Sequence, residues 1–141
     1  MDLLTGGSED AGAPRARADF DGLTSTVAQA RDTADTFLTA LARTTPPARD
    51  RNRDDVLLVV SELVTNAVRH APGPFTLCLA PVPGGVRVTV RDTSTTLPRP
   101  RTPDVDGGAG GFGCPIVQCL AHRLEALPHQ DGKEIHAVLP W

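Results

Sequence analysis

The sequence of 141 residues has few lysines, few cysteines, few aromatic side chains and no long apolar run. Because no run approaches the ~20 apolar residues of a membrane span, we expect no contact with a membrane. Acidic residues outnumber basic residues by 17 to 14, whereas a dedicated nucleic-acid-binding protein usually carries a basic excess. The N-terminus also lacks the charged start and the apolar stretch of a signal peptide. These absences predict a soluble, cytoplasmic protein that does not bind nucleic acid directly.

The three cysteines are too few and too scattered to predict a zinc site. Cys78, Cys114 and Cys119 include no C-x-x-C pair, and a structural zinc ion needs about four ligands at recognisable spacing. We therefore interpret the cysteines as buried, reduced thiols.

The length suits one domain, at the usual ~100–150 residues. Residues 1–15 are rich in Gly, Ala, Ser and Asp without periodicity, which predicts a disordered tail before a single domain over residues 16–141. Apolar periodicity predicts helices at 25–42, with Ser25 as N-cap, from about 50 or 52 to 70, and at 114–122. It predicts strands at 16–20, 75–80, 86–92, 123–127 and 134–139. The segment 93–110 has no apolar pattern, which predicts a long loop. This order favours an α+β fold, a two-layer sandwich of a mixed or antiparallel β-sheet with α-helices on one face.

Five glycines crowd into residues 107–113, directly before the third predicted helix. Backbone N–H groups and the dipole at a helix N-terminus favour the binding of a phosphate group. Glycine-rich segments are, however, more often plain flexible loops. The cluster alone therefore leaves both interpretations open.

The second predicted helix carries a polar stripe on an otherwise apolar surface. At about 100° per residue, Asn66 and Arg69 fall within roughly 60° of Glu62, and valine, leucine and alanine fill most of the other sides. A solvated face would explain the stripe. Alternatively, a Glu and an Asn on a helix that is buried on most sides need a polar partner, and a hydrated Mg²⁺ that arrives with phosphates would suit them.

Four segments in order produce a specific resemblance to a known family. The segment ELVTNAVRH at 62–70 resembles the N box of the histidine-kinase-like ATPase (GHKL) superfamily, with its pattern E-x-x-x-N. RDTS at 91–94 resembles the G1 box, GGFGCPIV at 110–117 resembles the G2 box, and DGKEI at 131–135 stands in the place of the last box. Within the superfamily, the phrase SELVTNAVRHA and the bare length resemble the small stand-alone anti-sigma-factor serine/threonine kinases and their actinobacterial relatives.

The resemblance implies an ATP-binding regulatory protein that uses Mg²⁺. Glu62 would be the catalytic general base that takes a proton from the acceptor hydroxyl. Asn66 would ligate the metal, and Arg69 would neutralise phosphate charge. Asp92 would accept a hydrogen bond from the adenine amino group. The remaining nucleotide-binding positions that match the boxes are Ser94, Gly110, Gly111, Gly113, Cys114 and Lys133.

Several residues depart from the pattern of the boxes. Ser94 replaces a glycine, Phe112 and Cys114 stand where other residue types are common, Pro115 lies in the opening turn of its helix, and Lys133 replaces a threonine. Two functions therefore stay open. The resemblance implies an anti-sigma factor with serine/threonine kinase activity towards an anti-sigma-factor antagonist. The departures favour a non-catalytic module of the same fold that sequesters a sigma factor or an antagonist. The resemblance also implies a homodimer.

Overall fold

The computed structural model describes residues 14–23, 25–70, 73–93 and 115–141. Its elements are, in chain order, β1 (Ala16–Phe20), α1 (Thr26–Thr44), α2 (Asp50–His70), β2 (Phe75–Val82), β3 (Gly85–Asp92), α3 (Pro115–Leu120), β4 (Arg123–His129) and β5 (Gly132–Pro140). The strands form one sheet in the order β1-β2-β3-β5-β4. Every element that the sequence predicts is therefore present within the described residues.

The pairings between the described strands are all antiparallel. Side chains alternate across the sheet, so that Val86, Val88 and Val90 of β3 are buried whereas Arg87 and Arg91 are exposed. Helix α1 packs on β1 and β2, and α2 packs on β3 and β5. The predicted two-layer α+β sandwich with helices on one face is confirmed, and of the two sheet types that the sequence left open, the antiparallel one is observed.

Both long helices are held by apolar side chains at helical spacing. Each leucine or valine that becomes fully buried contributes roughly 1.5–3 kcal/mol to the stability of the fold. On α1 the buried face repeats every three or four residues, and on α2 it is wider because this helix contacts α1, the sheet and α3. The buried apolar residues of the two helices are Ala30, Ala34, Phe37, Leu38, Leu41, Val56, Leu57, Val59, Val60, Leu63, Val64 and Ala67.

The structure corrects the predicted cap of α1. Ser25 lies at the N-cap position, but it has helical dihedral angles (φ −67°, ψ −10°), and its side chain forms no capping hydrogen bond. Instead, the backbone N–H of Thr26 donates to the Leu23 carbonyl at 2.9 Å, and the Thr26 hydroxyl donates to the same carbonyl. Ser25 therefore stands at the N-cap position directly before the helix, as predicted, but the side-chain cap is absent. The Thr26 hydroxyl bonds a carbonyl of the preceding turn and not a free N–H of the helix.

Two further predictions need correction. The β4–β5 hairpin turns over residues 130 and 131 alone, so both strands are longer than the sequence predicts. The prediction of buried thiols is wrong for Cys119, which is exposed, and Cys78 is only half-buried. Partial burial nevertheless raises the pKa of the Cys78 thiol.

Some predictions lie outside the described residues. The predicted tail over 1–15 is described only at residues 14 and 15, and the predicted loop over 93–110 only at residue 93. Among the helices that the structure does describe, none is long and apolar enough to cross a membrane.

The last residue, Trp141, contacts the helical layer. Its indole N–H donates to the Thr45 carbonyl at 2.6 Å, which connects the end of β5 to the segment between α1 and α2.

Candidate functional site

Helix α2 brings Glu62 and Asn66 to one face, one turn apart. Both side chains are half-buried, while the neighbouring Leu63, Val64 and Ala67 are buried in the core. The polar stripe therefore borders the core and is not a fully solvated face. Its third member, Arg69, lies exposed in the last turn of the helix.

A fourth predicted site residue, Asp92, is the last residue of β3 and is only 4% exposed. Antiparallel pairing places it opposite Lys133, near the start of β5. The Lys133 ammonium donates to both carboxylate oxygens, at 2.9 Å to Oδ2 and 3.1 Å to Oδ1. The structure thus joins residues of the predicted G1 box and the predicted last box in one buried ion pair.

The geometry of this pair offsets the cost of burying its charges. Moving a carboxylate and an ammonium out of water costs several kcal/mol each, and only good geometry with further hydrogen bonds compensates for it. Here one ammonium bridges both oxygens of the carboxylate, an arrangement in which charge-assisted hydrogen bonds are strong.

Gly132 allows β5 to approach β3 beside this pair. A Cβ atom added to Gly132 would lie 2.0 Å from the backbone oxygen of Asp92 and 3.2 Å from the Cα of Thr93. Since the obstacle is backbone, no side-chain rotation relieves the clash. The glycine of the predicted last box therefore has a steric role that the residue pattern alone did not reveal.

We expect Gly132→Ala to lower the free energy of unfolding by about 3 kcal/mol or more, the upper range for overpacking. Gly84→Ala is the matched control, because Gly84 lies in the β2–β3 turn at the opposite end of β3, and its added Cβ would meet no atom within 4 Å. Its positive φ of +72° still costs about 1 kcal/mol. Urea denaturation of both variants measures the difference, and equal losses would contradict the steric role of Gly132.

Helix α3 completes the described part of the site. It begins at Pro115, buries Val117 and packs against α2, the helix that carries Glu62 and Asn66. A helix directly after the glycine-rich segment is what the resemblance implies. The predicted nucleotide-binding residues Ser94, Gly110, Gly111, Gly113 and Cys114 lie outside the described residues.

A comparison with known protein families identifies the fold. The family described as the histidine kinase-like ATPase domain matches residues 23–139. This chain belongs to that family. Its members form an ATPase domain, so membership supports an ATP-binding regulator of the kinase-like type.

The chain is similar to the histidine kinase domain of the blue-light-activated histidine kinase from Erythrobacter litoralis, with 21% identity and a TM-score of 0.45. The match covers 78% of this chain and 60% of that domain, so the chain spans less than two thirds of the relative's length. No curated protein matches the sequence.

The oxygen atoms of Glu62 and Asn66 on α2 suit a magnesium ion whose other ligands are water molecules and phosphate oxygens. Mg²⁺ prefers oxygen ligands and binds through one or two protein groups together with substrate phosphates. The amide oxygen of Asn66 is such a ligand, and the carboxylate of Glu62 lies one turn away on the same helix. The site therefore suits a metal that arrives with a nucleotide.

Proposed function

We propose that this protein is an ATP-dependent serine/threonine protein kinase that acts as a cytoplasmic anti-sigma factor. In this proposal it phosphorylates an anti-sigma-factor antagonist and alternately sequesters a sigma factor. The observation that carries the proposal is the placement of Glu62 one turn before Asn66 on α2, the helix that packs against the strand ending in Asp92. Family membership supports the ATP-binding half of the proposal.

Each residue then has a chemical role in the transfer. Asp92 accepts a hydrogen bond from the base of the nucleotide, and Arg69 offsets phosphate charge. Asn66 would hold the magnesium ion through its amide oxygen. When bound, the ion would neutralise charge on the phosphates. By the resemblance, the N–H groups of Gly111 and Gly113 in the predicted G2 box would donate to the phosphate oxygens.

Glu62 acts on the acceptor protein. Its carboxylate accepts the proton of a serine or threonine hydroxyl, and the hydroxyl oxygen forms a bond to the γ-phosphorus as the bond from that phosphorus to the β-phosphate oxygen breaks. ADP leaves with the electron pair of the broken bond. A carboxylate within hydrogen-bond reach of the hydroxyl performs this role at neutral pH, while positioning and electrostatics supply most of the remaining catalysis.

A second function is favoured by the ion pair. Lys133 already binds both oxygens of Asp92, and the family usually has threonine at this position. A protein that keeps the fold but acts through protein contact alone would not need the Asp92 carboxylate for adenine, so it would tolerate the pairing with Lys133. In that case the chain would sequester a sigma factor or an antagonist without phosphoryl transfer. For either function we propose a homodimer with protein partners and no direct contact with nucleic acid.

Incubation with γ-labelled ATP and candidate antagonist proteins tests the proposal. We expect label on the antagonist that survives acid, because phosphoserine and phosphothreonine are stable in acid and phosphohistidine is not. An acid-labile label would contradict the serine/threonine assignment. A chain that binds ATP but transfers no label to any candidate would instead support the non-catalytic function.

A further inference from the structure

The sheet face opposite the helices carries a basic trough that the proposed site does not use. Two adjoining depressions form it, with volumes of about 540 Å³ and 460 Å³. They share Arg87 and His136 in their lining, so they are continuous across the middle of the sheet. We define the basic trough by its four arginines, which are Arg15, Arg17, Arg87 and Arg123.

Strand register explains how the arginines come together. Arg87 on β3 and Arg123 on β4 are both paired with Val138 of β5, so they flank this strand on one face. Two strand spacings separate them, about 10 Å. On the other side of β3, Arg17 of β1 is paired with Cys78 of β2, and Cys78 is in turn paired with Thr89 of β3. Arg17 therefore lies on the same face of the sheet as Arg87. Five strands span about 19 Å, so an extended segment of roughly six residues would cross the trough.

The charge of the trough differs from that of the whole chain. The chain has a net charge of −3, but the lining of the two depressions contains four arginines and two glutamates, Glu125 and Glu134. Within the part of the chain that the structure describes, neither Arg87 nor Arg123 forms an ion pair. Their charges are therefore available to an outside partner.

One of the two acidic groups is already engaged. The Glu134 carboxylate is 2.7 Å from His136 Nε2 and 2.9 Å from His129 Nε2. Burial opposes ionisation, but the hydrogen bonds and positive charge of the two histidines outweigh it and lower the pKa of Glu134. Its charge is thus satisfied within the sheet, and Glu125 is the acid that an incoming acidic partner would meet.

Apolar side chains lie among the arginines. Val82, Leu127 and Val138 line the larger depression, and Leu127 is 42% exposed, one of the large apolar side chains that the fold leaves in solvent. Interfaces combine an apolar centre with charged groups that select the partner and speed its approach. An extended partner segment that carries both acidic and apolar residues on the face it turns to the trough would complement both features.

We propose that the basic trough is the docking surface for an extended acidic segment of another protein, in which every second residue faces the trough and these facing residues are acidic (glutamate or aspartate) and apolar in turn. The carboxylates pair with Arg87 and Arg123, and the apolar side chains cover Leu127 and Val138. This contact lies on the sheet face away from the helices, so it leaves the α2 face accessible.

Fluorescence anisotropy with a labelled peptide of about eight residues, with the repeat Glu-Ser-Leu-Ser so that glutamate and leucine share one face, tests the docking surface in the full chain. We expect this peptide to bind at least about tenfold tighter than the counterpart in which glutamine replaces each glutamate, and the preference to shrink with added salt. Arg87→Glu together with Arg123→Glu should remove the preference. The matched control is Arg43→Glu with Arg49→Glu, because these arginines are exposed on the helical layer and the change in net charge is identical.

Three results would overturn the proposal. The first is equal loss of peptide binding in the two double variants, which would indicate general electrostatics. The second is wild-type binding of a single-stranded oligonucleotide through Arg87 and Arg123 with no preference for the acidic peptide. The third is a wild-type dimer that the trough variant alone converts to monomers, since the occupant would then be a second copy of this chain. Circular dichroism melting of each variant confirms that it is folded.

Discussion

Replacing Lys133 with methionine should lower the free energy of unfolding by about 3–5 kcal/mol. The side chains of Lys133 and Asp92 are only 8% and 3% exposed, and both carboxylate oxygens are bound by one ammonium group. Methionine keeps the length of the side chain but leaves the Asp92 charge buried without this partner. The loss is large because the ammonium group no longer offsets the desolvation of this charge.

Urea denaturation measures this loss, and two companion variants sharpen the result. Asp92→Leu combined with Lys133→Met should recover most of the lost stability, because replacement of a whole buried ion pair by apolar residues is often neutral. Arg51→Met removes an exposed ion pair on α2, that of Arg51 with Asp55 at 3.4 Å, and should cost about 0.5 kcal/mol or less. A Lys133→Met loss no larger than that of Arg51→Met would contradict the buried pair.

The second prediction with a large expected effect concerns the rate of phosphoryl transfer. Glu62→Gln should reduce phosphoryl transfer to the antagonist by roughly 10²–10⁴-fold and leave Mg-ATP affinity within about twofold of the wild type. Glutamine has nearly the same size and keeps the half-buried position, but it cannot accept the proton of the hydroxyl. The rate of label transfer and the dissociation constant of Mg-ATP, measured on the same preparation, separate the chemical step from binding.

Asp55→Asn is the matched control for this variant. Asp55 lies two turns before Glu62 on the same helix and undergoes the same change from carboxylate to amide. Transfer by Asp55→Asn should equal that of the wild type. If Glu62→Gln transferred label as fast as Asp55→Asn, Glu62 would not be the base, and the non-catalytic function would gain support.

Local patterns in the sequence were sufficient to predict the scaffold. Valine at every second position of β3 and apolar residues every three or four positions of α2 fix element type, because each periodicity matches only one kind of backbone. The direction of strand pairing did not follow, since alternation is the same in mixed and antiparallel sheets. The capping bond of Ser25 was also predicted wrongly, because Ser25 precedes α1 as expected but takes a helical conformation, and its side chain makes no capping hydrogen bond.

The candidate site was predictable only in part. Glu62 and Asn66 share one helix, so their relative position follows from the helical repeat. Asp92 and Lys133 are 41 residues apart, and their contact depends on the β3–β5 register, which no local pattern encodes. In the sequence, Lys133 is a departure from the family pattern. In the structure, it is the ion-pair partner of Asp92, the residue that the resemblance assigns to adenine recognition.

Calorimetric titration of Mg-ATP into the wild type and into Asn66→Ala tests the central claim most directly. We predict micromolar to submillimolar binding by the wild type and no detectable binding by Asn66→Ala, because the variant lacks the amide oxygen that holds the metal. Gln29→Ala, which removes an exposed amide on α1, should bind as the wild type does. Absence of heat with the wild type, or equal affinity in Asn66→Ala, would contradict a magnesium-dependent nucleotide site on α2.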